Sequence, residues 1–478
     1  MTRLGRPSRF RRRPARALRL LLWPLLWLPG LVGAKPPSPE ESAPPAAASR
    51  PLSESRKTKI QNELRTRSPD QRGVLLAELG EYTDVAAARL LIQFGLRDRQ
   101  PRLQATAATA LAQTRGFPPI DRLLIETLRQ EVRSSRRPWP DFVVRLADAV
   151  AQRRSLATTT ELLQLADGAD AGLSELAVDA LLRGIDGVAD DADADALPML
   201  ATVTQSPPFD RVGGLRKSVL DALNRIAEPA AVGLIVRCLP RVDGELRWDA
   251  TQHLERVTRQ KFGTDSAAWQ RWWEREGPTY RWPTAEPPVQ PRPDEAAGSP
   301  LYYYDLPIRA ERVVFVLDVS KSMGLGRMES RLAAAQRELS RTIEKLPDAT
   351  LFNVIVFQAT VTKWQERLHP ATPATRAHAV AFVRSQRPQG KTATCDALQA
   401  ALGLSPEPEA IYLLSDGVPS EGEIVVPERV LEVIRRQNHR QRTRIYTLGT
   451  LAGPQDAGLA EFLEKLAAQN FGQFRRLD

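Results

Sequence analysis

Two proline-rich seams cut this chain, and the period of its hydrophobic pattern changes across the second, which divides the chain into folded regions of different class. The first seam, KPPSPEESAPPAAASRPLSES from Lys35 to about Ser55, has too few large apolar side chains to offset the entropy of ordering. It predicts a disordered spacer. The second, GPTYRWPTAEPPVQPRPDEAAGSP from Gly277 to Pro300, predicts a semi-extended linker. A single core rarely grows to the 478 residues present, so a multidomain chain is expected.

Between the seams, apolar residues recur at three- and four-residue spacing and alternating β-branched runs are scarce, the signature of helix after helix. The region also repeats itself loosely. RLQATAATALAQ, DFVVRLADAVAQ, GLSELAVDALLR, LRKSVLDALNRI and LRWDATQHLERV each carry an Ala or Val face followed by Leu. Aligned on Leu111, Val150, Leu181, Leu223 and Leu254, they stand 39, 31, 42 and 31 residues apart. Paired helices at that period predict an α-solenoid, with an irregular helical bundle as the alternative. The segment EPAAVGLIVRCLPRVDGELRWDATQHL resembles HEAT-type repeats, in which Ala sits at the tightest helix contacts and Leu beside them. The run ends in RQKFGTDSAAWQRWWEREG, where Asp265 can cap a helix whose Trp269, Trp272 and Trp273 share roughly one face. A terminal helix sealing the last repeat is expected there; the other use of such a face is to stack a ligand.

After the second seam, strands alternate with helices. Val313 to Leu317, Leu351 to Phe357, Ala410 to Leu414 and Arg444 to Leu448 read as strands, with polar edge strands near Val361 to Trp364 and Gly472 to Arg475. Helices are expected at Arg327 to Leu346, about Thr375 to Ser385, Asp396 to Leu402, Pro427 to Gln437 and Leu459 to Ala468. Such alternation implies a doubly wound α/β domain with a mostly parallel sheet. The expected organisation is an export signal at 1–34, the spacer at 35–55, helical repeats at 56–276, the linker at 277–300 and the α/β domain at 301–478.

In a sheet of that kind, ligands sit outside the carboxyl ends of the strands. VVFVLDVSKSM puts Asp318, Ser320 and Ser322 where the first strand becomes a loop, and alternate residues of an extended segment point the same way. The strand in IYLLSDGVPSEGEI delivers Asp416 to the same rim, and the glycine-containing loop of PQGKTATCDAL presents Thr392 just before a helix. Carboxylates and hydroxyls in such a set suit a hard divalent cation, magnesium, manganese or calcium, rather than zinc or copper.

DVSKSM, GKTATCDAL and LLSDGVPSEGEI resemble the three segments that build the metal ion-dependent adhesion site of von Willebrand factor A domains, and the resemblance spans about residues 301 to 478. It implies that Ser320, Ser322 and Thr392 coordinate the ion, Thr392 directly or through water, while Asp318 and Asp416 act mainly through bound waters and hydrogen bonds. It further implies an open coordination position for an Asp or Glu of a protein partner, the repeats offering a second binding surface. The competing reading is a structural scaffold in which the repeats bind and the metal only stabilises the loops. The sequence departs from the family pattern at Lys391, where a glycine or small residue often precedes the threonine; the direction of that side chain decides whether it repels the ion or attracts an anion. Lys321 should point away by alternation. Thr394 and Asp396 are expected as a local hydrogen-bond partner and a helix cap.

Composition narrows the partners and the chemistry. Eight arginines and no acids fall within residues 1–34, and without them the formal charge of +10 drops to +2, so nucleic acid is not an expected partner. That segment has a basic stretch, an apolar stretch from Leu20 to Val32 and the small residues Gly33 and Ala34, so export to the cell surface, periplasm or exterior is expected. An uncleaved anchor is the alternative, and membrane contact is expected only in that case. Cys238 and Cys395 stand alone in different regions and read as small buried hydrophobes. His253, His369, His378 and His439 show no metal-ligand spacing and no nucleophile partner, and no GxxxxGK phosphate loop occurs. No enzyme is expected; a metal-dependent hydrolase is the weaker reading.

Overall fold

A computed structural model describes residues 50–242, 244–283, 301–326, 329–451 and 456–477. The expected signal segment, nearly all of the spacer and most of the second linker lie outside these residues.

Helices from Glu54–Thr66 to Ser266–Glu276 stack in two rows. One row runs Pro69–Leu79, Pro101–Gln113, Asp141–Gln152, Ala171–Asp191, Gly213–Arg225 and Gly244–Thr258, so the five repeated segments lie side by side in sequence order. The other row runs Glu54–Thr66, Val85–Leu91, Pro118–Ser134, Leu156–Asp167, Leu197–Thr204, Pro229–Cys238 and Ser266–Glu276. Each helix touches its row neighbours and the opposite row, the arrangement of an α-solenoid. Ala107, Ala147, Ala180, Ala222 and Ala250 are buried at these contacts, where small side chains allow close approach.

Polar contacts follow the same repeat. Arg129 Nε reaches Glu161 Oε1 at 2.8 Å across 32 residues, and Arg183 Nε reaches Asp148 Oδ1 at 2.8 Å across 35. Arg153 is the most deeply set of these arginines. Its side chain is fully buried and bonds Asp121 Oδ1 at 2.5 Å, Leu111 O at 2.5 Å, Thr114 Oγ1 at 2.7 Å and Thr114 O at 2.5 Å. At the far end, Asp265 caps its helix by accepting from Ala268 N–H. Trp269 and Trp272 are buried, Trp269 packing edge-on against Phe262 at 5.0 Å and donating Nε1–H to Gly263 O at 2.9 Å. The tryptophan face closes the stack.

The C-terminal region holds a two-stranded hairpin, β1 Leu301–Tyr303 and β2 Leu306–Ile308, and a seven-stranded sheet. The sheet strands are β3 Arg312–Asp318, β4 Leu351–Phe357, β5 Val361–Lys363, β6 His369–Pro370, β7 Ala410–Ser415, β8 Arg444–Thr450 and β9 Phe474–Leu477. Their order is β5-β4-β3-β7-β8-β9, with β6 also on β4; β5 and β6 run antiparallel to β4 and every other pair is parallel. Along β3, Val313, Phe315 and Leu317 enter one core with Leu332, Leu339, Ile343, Val380 and Val383 of helices Arg331–Glu344 and Pro373–Ser385. Val314 and Val316 enter the other, against helices Thr394–Leu402, Pro427–Gln437 and Ala457–Gln469. Both faces are covered, as a parallel sheet requires.

Three local expectations change. The helix expected from Arg327 starts at Arg331 because the Ser330 hydroxyl caps it, accepting from Ala333 N–H at 3.1 Å; residues 327 and 328 lie outside the described set. The hairpin β1–β2 and the short β6 carry no alternating run long enough to mark them in sequence. Neither Thr394 nor Asp396 caps its helix: Ala393 is the N-cap residue, the Thr394 hydroxyl is buried without a hydrogen-bond partner, and Asp396 Oδ1 accepts from Glu423 N–H at 3.1 Å.

The helical rows dock on the amino ends of the parallel strands. Arg440 pairs with Asp179 (2.8 Å) and Glu175 (3.2 Å), and Arg442 with Asp186 (2.6 Å). Arg444, at the start of β8, pairs with Glu245 (3.1 Å) and Asp249, and Tyr446 donates its hydroxyl to Glu245 at 2.7 Å. Gly214 N–H bonds Arg440 O at 2.9 Å, and a Cβ at Gly214 would lie 2.3 Å from that oxygen, so only glycine allows the approach. No helix among the described residues is long and apolar enough to cross a membrane.

Arg153→Ala is expected to cost about 3–5 kcal/mol, because it leaves the Asp121 charge buried without its partner. Arg183→Ala, at a part-exposed pair, should cost under about 1 kcal/mol. Urea denaturation of the two variants beside the parent chain measures the contrast.

Candidate metal centre

The site grows from the register of the two central strands. Parallel pairing sets Leu317 beside Leu414, so Asp318 and Asp416 leave the sheet together at its carboxyl edge. This is also where the strand order turns, β4 lying on one side of β3 and β7 on the other.

Each carboxylate is already engaged by protein donors. Asp318, fully buried, accepts Ser320 N–H on Oδ1 at 2.8 Å and the Ser415 hydroxyl on Oδ2 at 2.5 Å. Asp416 accepts the Ser322 hydroxyl on Oδ1 at 2.7 Å and Arg331 Nη1 on Oδ2 at 2.6 Å. The Ser320 and Ser322 hydroxyl oxygens stand 3.1 Å apart, so strand alternation does bring them to one point. Thr392 joins from the third loop, which is pinned to the loop after Asp416: Thr392 N–H donates to Ser420 Oγ at 3.2 Å, and its carbonyl accepts from Ser420 N–H at 3.0 Å. A Cβ at Gly417 would fall 3.2 Å from Thr392 Oγ1, so the glycine after Asp416 leaves the threonine hydroxyl its room. All five sequence-derived residues are thereby assembled on three adjoining loops.

Lys391 turns to Glu421, with Nζ 3.0 Å from Oε2, and both side chains are exposed. Its charge is matched at the rim. Lys321 is exposed and its backbone N–H bonds Gly390 O, tying the first loop to the third.

The donor chemistry fits a hard divalent cation. Three of the five candidates are hydroxyls, and among the described residues no three His, Cys, Asp or Glu side chains form a metal-binding group. Burial pushes the Asp318 carboxyl up to about 6, the Asp416 charge adding and the hydrogen bonds from Ser415 and Ser320 opposing. No basic side chain among the described residues pairs with it. A buried carboxylate without a cationic partner, beside clustered hydroxyl oxygens, is a place a divalent ion would stabilise.

Sequence reading missed two members of this network. Ser415 lies one residue beyond the strand expected at Ala410 to Leu414, and Arg331 falls within the amphipathic helix expected at Arg327 to Leu346. The serine before Asp416 was a signal, because a polar residue at a buried strand end needs a partner. The histidines lie elsewhere: His253 is buried on helix Gly244–Thr258 and held down to about 4 by burial, His439 precedes the arginine interface, and His369 and His378 pack on Trp364. Cys238 and Cys395 are buried free thiols.

With this geometry in view, comparison gives the class: residues 311–475 match the von Willebrand factor type A domain and form one. Among curated proteins, the chain is 31% identical over 183 residues to inter-alpha-trypsin inhibitor heavy chain H3 of Mesocricetus auratus, covering 36% of this chain and 20% of that one. It is 32% identical over 178 residues to human inter-alpha-trypsin inhibitor heavy chain H4, covering 35% and 18%. The chain thus spans about a fifth of the length of these relatives. Solved structures with a similar region include the von Willebrand factor type A protein of Catenulispora acidiphila, at 20% identity and TM-score 0.30, covering 35% of this chain and 38% of that one. Another is proximal thread matrix protein 1 of the mussel byssus with zinc in its metal ion-dependent adhesion site, at 20% identity and TM-score 0.26, covering 34% and 41%.

A carboxyl held above its unfolded range takes up its proton more readily in the folded state. Its protonation therefore stabilises fully below about pH 4, and that contribution is lost as the pH rises through about 6, on the order of 3 kcal/mol in total. In EDTA, Asp318→Asn should remove this slope and raise the melting temperature at pH 7.5 more than at pH 5. An equal change at both values would contradict the account.

Proposed function

We propose that the C-terminal domain binds a protein partner through a divalent cation held by Ser320, Ser322 and Thr392, with Asp318 and Asp416 acting through water and hydrogen bonds. Magnesium is the favoured ion, with manganese and calcium as the alternatives among hard divalent cations. When bound, the ion supplies an electrophilic position that an Asp or Glu of the partner can occupy. One observation carries this reading. Both carboxylates have each oxygen satisfied by a protein donor, while two serine oxygens meet at 3.1 Å, so the hydroxyls are the atoms placed to ligate. Keeping carboxylates off the ion leaves it electron-poor.

Apolar side chains on the same loops favour a protein surface as ligand. Leu325, 62% exposed, follows Ser322, and Val418, 44% exposed, follows Asp416 and Gly417. Both are well placed to meet the neighbours of an acidic side chain. We assign the helical region, residues 56–276, to HEAT-like repeats that act as a second interaction surface, and the chain to an exported location. No catalytic role is assigned, since none of the four histidines stands beside the site.

A specific feature also favours the scaffold reading. Ser415, Ser322 and Arg331 assemble the loops by hydrogen bonds alone, so the repeats could do the binding and an ion would merely stiffen the rim. Pull-down of partners by the full chain, in magnesium and in EDTA, separates the two. Loss of capture in EDTA and in Asp318→Ala is expected, at least about tenfold. Undiminished capture in both would leave the scaffold reading standing.

A further inference from the structure

Arg331 is an unforeseen participant in the candidate metal centre. It is the first residue of helix Arg331–Glu344, where its N–H bonds Leu325 O at 2.9 Å and the Ser330 cap fixes the turn. From this anchored start, Nη1 reaches Asp416 Oδ2 at 2.6 Å. The Asp416 side chain is fully buried, and that of Arg331 is 19% exposed. The pair is therefore poorly screened by solvent.

We propose that Arg331 is a built-in counter-cation of the metal centre: it holds Asp416 in place without metal, restrains affinity for the ion, and makes the loaded centre select an anionic ligand. The inference rests on the metal reading given above. Asp318 and Asp416 bring two negative charges, and Arg331 cancels one of them. A divalent ion then leaves the centre with one net positive charge. A partner carboxylate balances that charge; a neutral or basic side chain does not. Without Arg331 the loaded centre would be neutral, hold its ion more tightly and attract a carboxylate less. Arg331 is thus a positioning residue that acts through Asp416, and its position sets a compromise between ion affinity and ligand choice.

Three variants test it. Arg331→Gln keeps a donor for Asp416 and removes the charge, Arg331→Met keeps comparable length without either, and Arg331→Lys keeps the charge. Manganese and magnesium binding to the full chain is measured by titration calorimetry, and melting temperature is read in EDTA. Acetate serves as the carboxylate probe on the manganese-loaded protein, read by water-proton relaxation. Arg331→Gln and Arg331→Met should bind manganese at least about tenfold tighter, melt lower in EDTA and bind acetate more weakly, while Arg331→Lys stays near the parent. Manganese affinity that is unchanged or reduced in the uncharged variants, with the parent binding normally, overturns this inference and leaves the metal reading intact. If parent and variants alike bind no ion, both fall. If only the uncharged variants bind, the counter-cation role stands.

Discussion

Everything at the carboxyl edge depends on β3 and β7 lying side by side and parallel. Antiparallel neighbours would send Asp318 and Asp416 to opposite ends of the sheet. Parallel pairing brings them out together, Asp318 one residue past Leu317 and Asp416 two past its partner Leu414. The helices on both faces make this arrangement possible by covering strands that are apolar on each side. The topology places the acids, and the loops then have only to bring hydroxyls to them. Gly417 serves that end by what it lacks, since a side chain there would press on Thr392.

The two acids are handled differently. Asp318 is buried with only hydrogen bonds to hold its charge, whereas Asp416 has a guanidinium on one oxygen. One carboxylate is thus left in electrostatic debt while its neighbour is compensated. In the helical rows a buried charge is compensated in full, Arg153 meeting four acceptor contacts within the stack, the Asp121 carboxylate among them. There the result is cohesion; at the sheet edge it is readiness for a cation.

Periodicity made most of the fold legible. The strand beginning at Val313 and the helix Pro427–Gln437 announce themselves because burial on defined faces dictates where apolar residues fall. The repeated Ala and Leu faces likewise predicted stacked pairs of helices, since small side chains suit the closest helix contacts. Among the candidate site residues, Asp318 and Asp416 stand out at the ends of apolar strands, and Ser320, Ser322 and Thr392 in the loops beside them. What escaped depends on contacts between distant segments. Arg331 looks like any charged helix position until Asp416, 85 residues on, is set beside it. Asp396 sits where a cap is wanted, yet it is drawn away by the backbone of Glu423 in another loop. The docking of the repeats was hidden for the same reason, because the acids of Ala171–Asp191 and Gly244–Thr258 read as solvated helix faces until Arg440, Arg442 and Arg444 meet them.

Those three arginines hold the helical rows at the amino end of β8, while the candidate site lies at the carboxyl ends of its sheet neighbours β3 and β7. The sheet therefore keeps the repeats a full strand length away from the candidate site, so that a partner seated on the carboxyl rim would leave the docked helices uncovered.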